Sequence, residues 1–278
     1  MYSQILSKIV LDTRYLLLNH NCYNNKNLFY LHCKNKQKLF SLACNYGHKE
    51  VVEILLQDPR DSHSRSECKR LEAVDPSANN NEAIRLASLY GHKEVVELLL
   101  QYPRNSHSRS ECKRLKAVDP SANNNEAIRW ASFYGYKEVV ELLLKDKRVD
   151  PSAYNNQAII FASSQGNKEL VEILLQDPRI DPSADKNCAI RWASKNGHKE
   201  VVEILLRDPR IDPSACKSAS IRMASEFGRK EIVEILLRDP RVDPSADNNY
   251  AFKWASYYRH KEVVEILLQD PRVKKTDG

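Results

Sequence analysis

The sequence predicts an all-α repeat solenoid of about seven helix-turn-helix units joined by short hairpin turns. Two recurrences carry that prediction. Asp-Pro-Ser-Ala recurs at Asp75, Asp119, Asp150, Asp181, Asp212 and Asp243. Lys-Glu-x-Val-Glu-x-Leu-Leu keeps step with it through Glu50, Glu94, Glu138, Glu169, Glu200, Glu231 and Glu262. The later intervals are 31 residues, and the two between Glu50 and Glu138 are 44. A fixed period in this range marks stacked supersecondary units that share one long core.

The unit 150–180 shows why each element forms. Asp150-Pro151-Ser152 followed by Ala153-Tyr154-Asn155-Asn156 is turn chemistry, since proline fixes φ and asparagine tolerates the left-handed region. Gln157 to Ser163 then reads as a short helix with Ile159 and Ala162 on one face. Gly166 closes it, because glycine enters the left-handed region without a Cβ penalty. Lys168 to Leu175 is a second helix whose expected apolar stripe is Leu170, Ile173 and Leu174. Asp177-Pro178 ends it, because the residue before proline is pushed out of the α region. Helices this short are unstable alone, so each must bury its stripe against the next copy.

The segment Ala87-Ser88-Leu89-Tyr90-Gly91-His92-Lys93-Glu94-Val95-Val96-Glu97-Leu98-Leu99-Leu100 resembles the core of the ankyrin repeat, and the match recurs over residues 35–273. The family's Thr-Pro-Leu-His opening is replaced by Glu82-Ala83-Ile84-Arg85 and its equivalents. Its hairpin becomes Asp-Pro-Arg-Val-Asp-Pro-Ser, which implies a tighter finger with weaker strand character. The asparagine- and lysine-rich style is similar to ankyrin arrays encoded by very large DNA viruses of amoebae.

Residues 1–34 match no repeat closely and read as an N-terminal capping segment, with Ile5, Ile9 and Leu16 on one helical face; 274–278 is a tail. The 44-residue units carry inserts at 61–73 and 105–117, both containing Ser-His-Ser-Arg-Ser-Glu-Cys-Lys-Arg-Leu. The stretches 48–91 and 92–135 differ at six positions, so a unit duplication accounts for both inserts. They read as basic surface loops, with a docking role as the sharper alternative.

The net charge of +6 is concentrated in residues 1–34 and 104–118 and leaves the regular repeats close to neutral. A nucleic-acid binder concentrates positive charge on its binding face, so nucleic acid is not expected as the main partner. No run is long and clean enough for a membrane span, and no secretory signal is evident. Seven cysteines without a C-x-x-C suit a reducing compartment, cytoplasm or nucleus, a host cell's included. No phosphate-cradling loop or H-E-x-x-H pattern is present. His20, Cys22, His32 and Cys33 lack zinc-finger spacing, and His63, Cys68, His107 and Cys112 read as ordinary loop residues. No enzyme activity, cofactor or metal is expected.

The large residues Leu86, Trp130, Phe161, Trp192, Met223 and Trp254 share one position, and the ankyrin resemblance implies that it faces the core. His48, His92, His198 and His260 open the second helices, where the same resemblance implies loop stabilisation. It also implies that the residues ending each first helix lie on the concave side and contact a partner protein. That gives Tyr46, Tyr90, Phe133, Tyr134, Phe227, Tyr257 and Tyr258, joined by the finger residues Asn79, Asn81, Asn123, Asn125 and Tyr154. Tyr90, Phe133 and Tyr134 are expected to be the strongest patch, since exposed aromatics anchor interfaces. The protein is thus expected to be a monomeric scaffold binding another protein. The alternative is an adapter working through 1–34 or the basic inserts, for example towards a ubiquitin ligase.

Overall fold

The computed structural model describes residues 36–56, 74–102 and 117–273. The chain divides into two compact units, Met1–Ala122 and Asn123–Gly278. Among the described residues there are fourteen helices and no strand, the outcome that the tight finger predicted. The capping segment 1–34, the insert 61–73, nearly all of 105–117 and the tail 274–278 lie outside the described residues.

The first unit contains α1 (Lys36–Tyr46), α2 (Lys49–Leu56), α3 (Ala78–Leu89) and α4 (Lys93–Gln101). Helix α1 packs on α2 and α3, α3 packs on α4, and α2 meets α4. The second unit holds five further pairs, which are α5 (Ala122–Tyr134) and α6 (Lys137–Lys145), α7 (Ala153–Ser164) and α8 (Lys168–Gln176), α9 (Ala184–Asn196) and α10 (Lys199–Arg207), α11 (Ala215–Glu226) and α12 (Lys230–Leu237), and α13 (Ala246–Tyr257) and α14 (Lys261–Gln269). First helices form one row, with α9 between α7 and α11 and α11 against α13; second helices form another, from α6 through α8, α10 and α12 to α14.

The core lies between the rows. In the first helices it takes Ala-Ile and Ala-Ser pairs such as Ala158, Ile159, Ala162 and Ser163, all fully buried. In the second helices it takes Leu170, Val171 and Leu174. Ile173, expected in the stripe, is only half-buried, and Val171 takes its place. Burial of such side chains contributes roughly 1.5–3 kcal/mol each, which is how helices of eight to thirteen residues persist.

The finger has a conformation that the sequence only hinted at. Asp150 Oδ1 accepts from the Ser152 N–H (3.0 Å) and hydroxyl (2.6 Å), so Asp-Pro-Ser forms a side-chain-closed turn. Three consecutive left-handed residues follow, Tyr154, Asn155 and Asn156, with φ of 59, 56 and 59°. Asn123, Asn124 and Asn125 do the same in α5, and Asn79, Asn80 and Asn81 in α3. Asparagine suits this because its short polar side chain offsets a left-handed cost of about 1–2 kcal/mol per residue.

The third left-handed residue locks one repeat to the next. Asn81 Oδ1 accepts from the Asp119 N–H at 2.7 Å, Asn125 from Asp150 at 2.8 Å, Asn156 from Asp181 at 2.7 Å and Asn187 from Asp212 at 2.9 Å. Ser218 does this with its hydroxyl for Asp243. Asn81 and Asn125 are therefore buried fastenings, and they leave the set of partner-contact residues expected above. A second fastening comes from Asp-Pro-Arg. Arg179 pairs with Asp177 through two nitrogens, at 2.9 and 2.6 Å, and donates across the junction to the Val149 carbonyl (2.8 Å) and the Leu144 carbonyl (3.2 Å). Arg210 and Arg241 repeat the arrangement, and Arg272 donates likewise to the Val242 carbonyl. The guanidinium thus satisfies carbonyls left open by a helix end and a turn.

Candidate interaction surface

The loop between the two helices of a unit sets the direction of the surface. Gly166 adopts φ +75°, and an added Cβ would lie 2.4 Å from Nδ1 of His198 in the following unit. The ring is held there because its Nε2–H donates to the Ser164 carbonyl at 2.9 Å. A carbonyl can only accept, so the proton sits on Nε2. His92 bonds the Asn45 carbonyl and His260 the Glu226 carbonyl in the same way. Asn167 and Arg229 occupy the position in other units and donate to the Ser132 and Lys195 carbonyls. The second helices α4, α8, α10, α12 and α14 are thereby tied to the end of the first helix in the preceding unit, which fixes the loop after it. The structural role expected of these histidines is seen at His92, His198 and His260, whereas His48 Nε2 is buried without a hydrogen-bond partner among the described residues.

A glycine closing the first helix against a side chain of the next unit, repeated along two rows of short antiparallel helices, is the observation that decides the family. A search of protein families agrees: the model for ankyrin repeats in sets of three copies matches residues 10–110, 65–155, 128–216 and 191–277. The chain belongs to the ankyrin repeat family. A search of curated proteins found no match. The finger of this ankyrin array departs from the expected pattern where asparagine and arginine take over the junction bonds.

With both rows placed, the exposed residues sort clearly. The large hydrophobics exposed among the described residues are Tyr46, Tyr90, Tyr134, Tyr154, Trp192, Phe227, Tyr257 and Tyr258. All of them lie on first helices, their ends or fingers. Second helices show lysine and glutamate instead, such as Lys168, Glu169 and Glu172.

In the first unit, Tyr46 and Tyr90 close α1 and α3, and Asn79 is exposed with its amide on Glu82. In the second unit, Phe133 is half-buried and Tyr134 is 52% exposed. Their rings meet edge to face at 5.0 Å. Trp130 lies 5.7 Å from Phe133 and 5.8 Å from Phe161, and Phe133 lies 5.2 Å from Phe161, making one four-ring cluster. Further along, Trp192 and Phe227 share the Lys195 ammonium, which sits 4.6 and 4.8 Å from their ring centroids. Tyr250, Trp254, Tyr257 and Tyr258 form a third cluster. Tyr154 is 61% exposed under the Arg129 guanidinium, and Asn123 is exposed beside Glu126.

The tryptophan column corrects an expectation. Trp192 is 40% exposed, and Trp130, Phe161 and Trp254 are half-buried, so this position flanks the core and lines the surface. The helical wheel carried the signal. At 3.6 residues per turn, this position lies about 130° from the centre of the buried Ala-Ile-x-x-Ala-Ser stripe.

No group of metal-ligating side chains exists among the described residues. The histidine and cysteine sets of 1–34 and the inserts lie outside them. Burial pushes the Cys44 thiol up to about 12, far from a reactive thiolate. No helix among the described residues is long and apolar enough to cross a membrane.

Proposed function

We propose that the protein is a non-catalytic scaffold that binds a partner protein, not nucleic acid or membrane, through the concave side formed by its first helices and fingers. Ankyrin repeats generally mediate protein–protein interaction. One observation carries the reading to this surface: the large hydrophobics exposed among the described residues all fall on first helices and fingers. Within each compact unit the packed helices present those rings at a low ordering cost on binding. Tyr46, Tyr90, Phe133, Tyr134, Phe227, Tyr257 and Tyr258 are the contact residues, with Asn79, Asn123 and Tyr154 at the fingers.

A photo-crosslinking residue at Tyr134 or Tyr258 is expected to trap a discrete partner in cells, and one at Glu172 on the second-helix row is not. If alanine at Phe133 and Tyr134 left capture of that partner unchanged in a correctly folded protein, the surface would be misassigned.

A further inference from the structure

The first-helix face of the second unit carries charge that fits one kind of partner. On its first helices Arg129, Lys186, Arg191, Lys195, Lys217, Arg222 and Lys253 stand against Glu126, Asp185, Glu226 and Asp247. Asp247 pairs with Lys217 (2.8 Å) and Arg222 (2.5 Å), Glu226 accepts from the Tyr250 hydroxyl (3.2 Å), and Glu126 takes the Asn123 amide. The cations Lys186, Arg191, Lys195 and Lys253 pair with no carboxylate in this way. Arg191 spends one nitrogen on the Asp185 carbonyl, and Lys195 rests on two rings with its N–H groups still to be used. With seven cations against four carboxylates the first helices carry net positive charge, and Lys186, Arg191 and Lys195 place part of it on α9, between two aromatic clusters.

The rings discriminate between ligand classes. Stacking on nucleic-acid bases needs open ring faces. Here Lys195 covers Trp192 and Phe227, Arg129 covers Tyr154, Arg222 covers Tyr250, and Tyr258 lies stacked on Trp254 (25° between planes). One face of each of these rings is thereby taken, and the edges and crevices between rings suit aliphatic or aromatic side chains.

We infer that the partner presents an extended acidic segment with an apolar anchor. The anchor seats against Trp130, Phe133 and Phe161, and the carboxylates engage Arg191 and Lys195. This rests on the first-helix face being the contact surface. Helices packed 8–10 Å apart place α9 roughly 16–20 Å from α5, which an extended chain spans in about five or six residues. The segment therefore reads as an apolar residue followed or preceded at that distance by aspartate or glutamate.

The test is selection from a random peptide library displayed on phage against the full chain, followed by titration of the selected peptides. Enrichment in acidic residues is expected, and remaking each Asp and Glu as Asn and Gln should weaken binding at least about tenfold, or 1.4 kcal/mol. Lys195→Gln and Phe133→Ala should each weaken it too, with the fold checked by circular dichroism. Neutral or basic selected peptides that Phe133→Ala still weakens would overturn the acidic class and keep the surface. Peptides indifferent to both substitutions would overturn the surface as well. A labelled oligothymidylate that binds with steep salt dependence, when no peptide is enriched, would make the ligand single-stranded nucleic acid and overturn the inference. Failure to bind either probe would also overturn it.

Discussion

Replacing Gly166 by alanine tests the junction between repeats more directly than any change on the surface. Two costs combine at this position. At φ +75° an alanine pays about 1–2 kcal/mol for the left-handed conformation. Its Cβ would also sit 2.4 Å from His198 Nδ1, so the ring must leave and surrender its 2.9 Å bond to the Ser164 carbonyl. A hydrogen bond of this kind contributes about 0.5–1.5 kcal/mol, giving an expected loss of roughly 2–3 kcal/mol for Gly166→Ala. Gly197→Ala is the control, because the same Cβ there meets the flexible Arg229 chain at 3.2 Å and pays the backbone cost alone. Urea denaturation followed by circular dichroism, with His198→Ala and the double variant, separates the terms. In that cycle Gly166→Ala should cost less when His198 is already alanine. Equal losses for Gly166→Ala and Gly197→Ala, with no coupling to His198, would refute the close-packed junction. The last unit is a natural comparison. Arg259 takes the glycine position at φ 62°, and among the described residues no further unit brings a ring against it.

Two further predictions follow from the same junctions. Ser163 is fully buried and its hydroxyl has no partner, as at Ser88, Ser132, Ser194 and Ser225; Ser163→Ala should leave stability unchanged or raise it by up to about 1 kcal/mol. A loss beyond that range in thermal melts would mean that the hydroxyl has a bonding partner. The clamp aspartates give a pH dependence. Hydrogen bonds from the Arg179, Arg210, Arg241 and Arg272 side chains hold the carboxyls of Asp177, Asp208, Asp239 and Asp270 below the usual range. A carboxyl with a lowered folded pKa stabilises the fold above its unfolded value near 3.9 and loses that contribution as pH falls through the folded value. Melting temperature should therefore drop below about pH 4, and Asp208→Asn with Asp239→Asn should flatten that slope; an unchanged slope counts against the clamps.

Much of this architecture is written in local patterns. Ile159, Ala162, Leu170 and Leu174 fall where helical periodicity puts them, and Gly166 and Pro178 end helices for backbone reasons that need no neighbour. Other features depend on the stacking register, which one unit cannot reveal. Asp-Pro-Arg is visible as a repeated triplet, yet the acceptors of Arg179 are carbonyls 30 and 35 residues earlier. Asn81 and Asn125 read as finger-tip polar groups, and only the next repeat's Asp119 and Asp150 N–H groups turn them inward. The tryptophan column follows angular position on the helix, so Trp192 lies at the surface where the ankyrin resemblance implies the core.

The Asn and Arg fastenings have a consequence for how such a chain changes length. Asn156 reaches 25 residues forward to Asp181, and Asn187 reaches 25 forward to Asp212; Arg179 reaches 30 back to Val149, and Arg210 reaches 30 back to Ile180. Among the 31-residue units each donor therefore finds its acceptor at a constant offset, whichever of these copies happen to be adjacent. Excising or copying one whole 31-residue period regenerates a complete set of bonds at the new seam. Array length can thus drift by recombination between copies while the joints stay intact, and the side chains offered to a partner can be lengthened, shortened or reshuffled in whole-unit steps.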